Sequence, residues 1–294
     1  MSRKASGAFS EFWEIVKTLL WAAVIAIVIR TFAYEPFNIP SESMVPTLLK
    51  GDYLFVSKMA YGYSKYSFPG GLVPVEGRIW EGAPTRGEVV VFRPTRDPET
   101  DFIKRVIGLP GDRIQVREGR LYVNDVMVER QRIEDYVDPD DPAAKAKPQY
   151  LEALPGGVTH RIIEAAQDSG SYDNTPVFVV PADHYFMMGD NRDGSNDSRA
   201  PATEEDFMAG VDRNNSEAVQ QARMDYETQC SSDVTNTIDE SRKNCLGTVG
   251  FVAKENLIGP AKILFWSYAD SFKWYNPITW VTALRFGRLL NVIE

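Results

Sequence analysis

The sequence predicts a mainly β domain with inserted cap and loop regions, preceded by one N-terminal transmembrane helix. Three observations carry this reading. Short runs rich in Val, Ile, Phe and Tyr recur between Gly and Pro punctuation, the pattern of strands joined by turns. No βαβ alternation with a period of about 30 residues appears, which sets aside a doubly wound α/β fold. An unbroken apolar run lies ahead of the first strand. A formal net charge of −9 leaves no excess of Lys and Arg for phosphates, so nucleic acid is excluded as a partner.

The apolar run, Leu19 to Ile29, is eleven residues, and Thr18 extends it to twelve between Lys17 and Arg30. A bilayer core needs about 20. Lys and Arg can snorkel, so the workable span is 15–34, with Trp13, Trp21 and Tyr34 as interfacial candidates. A cleaved signal peptide would need small residues at −3 and −1, and Thr31-Phe32-Ala33 is a marginal match. A buried soluble helix would seldom be apolar all round. Arg3, Lys4 and Lys17 precede the run, whereas Arg30 stands alone after it until Lys50. The organisation predicted is therefore a cytoplasmic N-terminus (1–14), an anchor (15–34) and an extracytoplasmic β domain (35–294).

Strands are predicted at Tyr53–Val56, Glu88–Phe92, Phe102–Ile107, Arg113–Val116, Leu121–Val123, Val177–Val180, Tyr185–Met188 and Thr248–Val252. Turn signals at Pro69-Gly70-Gly71, Leu109-Pro110-Gly111-Asp112 and Asn124-Asp125 separate them. Two stretches interrupt the pattern. Residues 130–176 mix charges with prolines and read as an inserted cap with mobile loops. Residues 201–245 hold ten acidic and four basic side chains, with a capped helix predicted over Ser216–Tyr226. Both read as decoration rather than chemistry. Cys230 and Cys245 are the two cysteines; the sequence leaves open a disulfide or two free thiols.

The chemistry-bearing segment nearest the anchor is FNIPSESMVPTLLKGD, Phe37 to Asp52. Pro40 and Pro46 stiffen it and hold Ile39 and Val45 extended. Ser41 and Ser43, at i and i+2, can face one way. Such a segment is a poor turn and a good place to hold a nucleophile.

In DFIKRVIGLPGD, Asp101 to Asp112, a period-2 strand puts Lys104 on one face with Phe102 and Val106. Such a lysine is either at an edge in water or buried. Burial lowers its pKa and makes its neutral amine a competent general base. YFMMGDNRDGSNDSR, Tyr185 to Arg199, runs from a strand into a loop crowded with acids and arginines. That loop is either a surface turn or a rigid, internally paired scaffold beside a site.

Other nucleophile signatures are absent. There is no Gly-x-Ser-x-Gly elbow, no Ser three residues before a Lys, and no His-Glu-x-x-His. A Ser-His-Asp triad would need His160 or His184, each expected to be structural.

PSESMVPTLLKGD, RGEVVVF (Arg86 to Phe92), FIKRVIGLPGD and GDNRDGSNDSR, in this order behind an anchor, resemble the bacterial type I signal peptidases. The resemblance extends to Glu255-Asn256-Leu257-Ile258-Gly259 but not to residues 130–176 or 201–245. It implies a coiled antiparallel β-sheet catalytic domain, with Ser43 as nucleophile and Lys104 as general base. Ser41 would form the oxyanion hole with the backbone N–H of Ser43, and Ser195 would hydrogen-bond and orient Lys104. Arg105, Asp190, Asp197 and Arg199 would support the site. The family cleaves signal peptides from exported preproteins and uses no metal or cofactor. Glu42, Glu88 and Gly194 depart from residues frequent in the family, which touches loop geometry and not the reacting groups.

By the same resemblance Phe37, Ile39, Met44, Leu48, Leu54, Val91, Phe102 and Ile103 would line shallow pockets that select small residues at −1 and −3, or pack as core. The partners implied are signal peptides and membrane lipid, and the location is the bacterial cytoplasmic membrane with the catalytic domain outside. A catalytically dead β domain that binds preproteins is the reading from another class, weighed down by competent residues at every catalytic position. A self-cleaving serine-lysine regulator is disfavoured by the anchor. Phe265, Trp266, Tyr268, Phe272, Trp274, Tyr275, Trp280 and Phe286 crowd the C-terminal stretch; some should close the core and some rest on the membrane surface.

Overall fold

A computed structural model describes residues 3–64, 77–166, 168–208, 211–231, 237–239 and 245–293; the expected turn at 69–71 lies outside them. The chain is mainly β. Its largest sheet has the order β1 (Tyr34–Asn38), β2 (Asp52–Ser57), β15 (Leu257–Ser267), β3 (Val89–Phe92), β4 (Phe102–Gly108), β12 (His184–Met188) and β14 (Val252–Ala253). All pairings in it are antiparallel. β15 pairs with β3 through its first residues and with β2 through its later ones, with register shifts on both sides. Such bulges bend a strand and raise its twist, and the sheet curls into a half-barrel.

The curl explains the burial. All four residues of β3 are buried, as in a strand covered on both faces. Val89 and Val91 pack with Ile39, Met44, Leu48, Leu54, Ile103 and Ile258 on one side. Val90 and Phe92 pack with Val106, Tyr185, Met187 and Leu257 on the other. A five-stranded sheet, β13 (Thr237–Ile238), β11 (Val177–Val179), β5 (Arg113–Arg117), β6 (Arg120–Val123) and β7 (Val126–Met127), builds a third cluster around Ile114, Leu121, Phe178 and Phe186.

Residues 130–176 are not the loose cap expected. They contain most of a three-stranded antiparallel sheet, β8 (Glu129–Arg132), β9 (Gln149–Ala153) and β10 (Thr159–Ile163). Its strands are held by charge as well as apolar contact: Arg130 pairs with Glu164 and Asp168 and lies over the Tyr150 ring. Those charges break the hydrophobic alternation that marks a strand. The hairpin after β9 meets RGEVVVF at Gly87, where an added Cβ would come 2.6 Å from Val158 Cγ1.

The helix expected at Ser216–Tyr226 forms with those bounds, and the Asn215 side chain accepts from the N–H groups of Glu217 and Ala218, an N-cap. We label it α3, after α1 (Arg3–Phe32) and the short α2 (Glu204–Met208). Cys230 and Cys245 are joined by a disulfide and sit in the Ile114 cluster. The strand expected at Thr248–Val252 is a correction: only Val252–Ala253 pair, since Gly250 turns the chain at φ +52°.

α1 contains the apolar run and is tied to the domain where it ends. Tyr63 Oη donates to Phe32 O and the Lys58 N–H to Ala33 O, and Lys58 Nζ lies 2.9 Å from Glu35. Among the described residues no helix is long and apolar enough to cross a membrane. At the other terminus, Phe265 stacks on Phe55 and Tyr268 packs on Phe272. Trp274, Tyr275, Trp280 and Phe286, on and around α4 (Pro277–Thr282), are exposed. The aromatic stretch therefore divides between packing and surface.

Candidate active site

The segment carrying Ser43 is not the extended stretch expected between its prolines: it folds into a turn, with Val45 N–H to Glu42 O at 3.1 Å. That turn is fixed from both ends. Ile39 N–H donates to Asp52 O of β2 at 2.8 Å, Gly51 N–H donates to Ile39 O at 2.9 Å, and Gly51 O accepts from Tyr268 N–H at 3.1 Å. Inside the turn, Leu48 N–H reaches Met44 O, and Leu49 N–H reaches the buried Asp52 carboxylate at 2.8 Å. Arg288, beyond α4, clasps the same carboxylate and donates to Thr47 O.

Lys104 comes from β4, the strand that lies beside β3. β12 covers the other edge of β4 only from Arg105 onward, so on that side Phe102 to Lys104 present an unpaired edge among the described strands. There Lys104 Nζ donates to Ser43 Oγ at 2.6 Å and to Ile103 O at 3.0 Å. Burial lowers the Lys104 pKa to about 8, against the opposing pull of Asp197 and Asp190. A desolvated ammonium gives up its proton more readily than one in water. The edge-lysine alternative is thus excluded: Lys104 is 3% exposed.

Ser41 Oγ lies 3.3 Å from Ser43 Oγ, so the two hydroxyls share one side of the turn. Ser195 is buried beside the pair. A Cβ on Gly189 would fall 2.3 Å from Ser195 Oγ and 2.5 Å from Ser43 O, so glycine is required at 189 for these groups to meet. The bond from Ser195 to Lys104 that the resemblance implies is not formed; Ser195 Oγ has no hydrogen-bond partner in the structure.

Arg105, Asp190, Asp197 and Arg199 come together as two buried ion pairs. Arg105 grips Asp190 through two nitrogens at 2.9 and 2.8 Å, and Asp190 also accepts from Thr47 Oγ1 at 2.5 Å. Burial opposes ionisation of Asp190, but Arg105 outweighs it and holds the carboxyl below its usual range. Asp197 accepts from Arg199 and from the Gly189 N–H; burial is again outweighed, here by Arg199.

The eight apolar residues assigned to pockets gather, Phe102 apart, in the cluster around Val89 and Val91. Met44, Leu48 and Leu54 are fully buried and act as core; Phe37 and Phe102 retain exposure at the rim. Phe102 packs instead on Phe92, on the other side of the sheet. Neither histidine touches Ser43. His184 Nδ1 faces Ala182 O, and His160 is buried between Glu152 and Asp190, its pKa lowered by burial to about 4. Among the described residues no group of three or more His, Cys, Asp or Glu side chains is placed to hold a metal ion.

Sequence reasoning missed Thr47, Asn191, Arg192 and Glu152. The Asn191 N–H donates to Ser43 O at 3.1 Å, and its side chain donates to Glu42 O. Thr47 and Asn191 lay inside recognised motifs and could have been flagged there. Glu152 lay in the stretch set aside as decoration, with no local signal.

A family model described as signal peptidase, peptidase S26, matches residues 12–223. The chain is 42% identical over 190 residues to a signal peptidase I of Rickettsia canadensis, covering 62% of this chain and 71% of the relative. It is 43% identical over 182 residues to that of Rickettsia conorii, covering 60% and 67%. Among solved structures, a signal peptidase I from Enterococcus faecalis is 26% identical, covering 40% of this chain and 86% of the other, at a TM-score of 0.23.

Proposed function

The chain belongs to the signal peptidase family, peptidase S26, and from that premise we propose that Ser43 and Lys104 are the dyad with which it removes signal peptides from preproteins. The observation that carries the assignment is the 2.6 Å contact between Lys104 Nζ and Ser43 Oγ, made by a lysine whose burial depresses its pKa. Neutral Lys104 takes the Ser43 proton as Oγ attacks the scissile carbonyl, then returns it to the leaving amine. The Ser41 hydroxyl and the Ser43 N–H stabilise the oxyanion. Arg105–Asp190 and Asp197–Arg199 hold the turn and the loop against each other.

The substrate adds as an extended strand along the open edge of β4, with Phe37 and Phe102 at the rim. Selection of small side chains at −1 and −3 falls to the buried apolar cluster, which includes Ile39, Val91 and Ile103.

Activity should rise with pH, because only neutral Lys104 can accept the proton. With a pKa of about 8, the rising limb of kcat/KM on an Ala-x-Ala peptide should be centred near pH 8, below that of a free lysine amine. A limb in the histidine range that vanishes in His184→Ala would assign the base to histidine instead.

Residues 15–34 serve as the anchor, with the N-terminus in the cytoplasm and the catalytic domain outside. Its support is the apolar run of the sequence, whose bordering Lys17 and Arg30 must snorkel to complete a span, and the exposure of Leu19, Leu20, Trp21, Ile25 and Val28 along α1. Trp274, Tyr275, Ile278 and Trp280 form a second lipid-facing surface. Protein lacking residues 1–33 should therefore still sediment with liposomes. Recovery wholly in the supernatant would remove the second surface from the proposal.

A further inference from the structure

We infer that Glu152, on the middle strand of the β8–β10 sheet, is a positioning residue for the catalytic serine, acting through Arg192 and the Asp190–Arg192 segment. The inference rests on Ser43 being the nucleophile.

The contacts form a short chain. Arg192 Nη1 donates to Glu152 Oε1 at 3.0 Å and its Nη2 to Oε2, while its Nε has no partner. Glu152 is thus the carboxylate on which the guanidinium fork closes, and both groups are buried. The main chain of the segment joins β10 in parallel fashion at Ile163 and Asn191. Ile163 N–H donates to Asp190 O, and Arg192 N–H to Ile163 O, each at 3.0 Å. Between these two bonds the Asn191 N–H points the other way, to Ser43 O. Asp190, at the start of the segment, holds Thr47 four residues beyond the serine. The small sheet therefore grips one side of a three-residue ribbon whose other side grips the Ser43 turn.

A buried ion pair is weak support for stability, since desolvating two charges offsets much of their attraction. What a bidentate fork supplies is direction. The fork fixes Arg192 in rotation as well as position, and with it the aim of the Asn191 N–H. A displacement of about 1 Å at reacting atoms costs on the order of 10²-fold in rate, so loss of this aim should appear in turnover before it appears in substrate affinity.

The test compares full-length Glu152→Gln with Leu154→Ala, a substitution two residues along the chain that removes a buried side chain of the Ile114 cluster, which includes neither Arg192 nor Asp190. Both variants should lower the thermal midpoint. Well below that midpoint, Glu152→Gln should lose about tenfold or more in kcat with KM within about twofold, and Leu154→Ala should keep its kcat. Unchanged kcat in Glu152→Gln, whatever its thermal midpoint, would overturn the inference. If Glu152→Gln does not accumulate as folded protein, Glu152→Asp, which keeps the charge and retracts it by one methylene, is judged by the same split. Failure of the dyad itself reads out separately, as activity remaining in Ser43→Ala.

Discussion

Replacing Ser43 by alanine, or Lys104 by methionine, should each lower turnover of a signal-peptide substrate by about 10⁴-fold or more while the protein stays folded. Both side chains meet in one hydrogen bond, and neither chemical half-step proceeds without the other partner. The double variant should then be no worse than either single one, because groups that act as a unit do not contribute additively. Ser41→Ala should be milder, about 10²- to 10³-fold, the scale for one oxyanion donor. Methionine suits Lys104 because it keeps most of the stem that fills the space beside Phe102. Steady-state kinetics on purified protein measures all four variants. Near-wild-type turnover in either single variant would exclude the dyad.

Asp190→Ala should be the most damaging change to stability in the site, at about 3–5 kcal/mol. Arg105 is fully buried, and Asp190 takes two of its nitrogens. Removing the carboxylate leaves the buried Arg105 charge without its counter-ion, with Gly87 O still accepting from Nη1. It also releases Thr47 and withdraws one of the two negative charges that raise the Lys104 pKa. Urea unfolding should show the loss, and the rising limb of the pH–rate profile should move to lower pH. Arg105→Met combined with Asp190→Leu should recover much of the stability, as apolar replacements of buried pairs often do, without recovering turnover. An unfolding midpoint for Asp190→Ala equal to that of the parent would show that Arg105 finds another partner.

Strands β2, β3, β4 and β12 of the curled sheet were legible by their apolar patterning between turn signals, and the roles of the Ser43, Lys104 and Asp190–Arg199 segments through the order of their motifs and the family those motifs resemble. β1 was not, and neither was β15, the longest of the described strands. Pro260 interrupts it, and its bulges break the alternation that register arguments need. The β8–β10 sheet escaped because its strands are stabilised by Arg–carboxylate pairs and a cation over Tyr150, which hydropathy patterns do not record. The burial of Lys104 could be posed as one of two alternatives from sequence, and only the curl of the sheet decides between them. The same curl buries Met44, Leu48 and Leu54 in the core, one of the two roles the sequence left open for them. Ser195 shows the limit in the opposite direction: its placement beside the serine was legible, and its hydrogen bond was not formed.

The junction between α1 and the β domain has a consequence for where a preprotein is cut. No slack intervenes: α1 ends at Phe32 and β1 starts at Tyr34, with Tyr63 and Lys58 bracing the step. β1 then runs five residues toward the serine turn, about 17 Å at the rise of an extended strand. Under the proposed anchoring of residues 15–34 in the bilayer, the nucleophile would stand at a set height above the lipid, like the scribe of a marking gauge. A signal peptide lodged in the same bilayer would then bring to that height only the bond a matching number of residues beyond its own apolar core. Depth of insertion would thereby become a coordinate of recognition alongside side-chain size, and small residues lying elsewhere along a preprotein would pass the blade uncut.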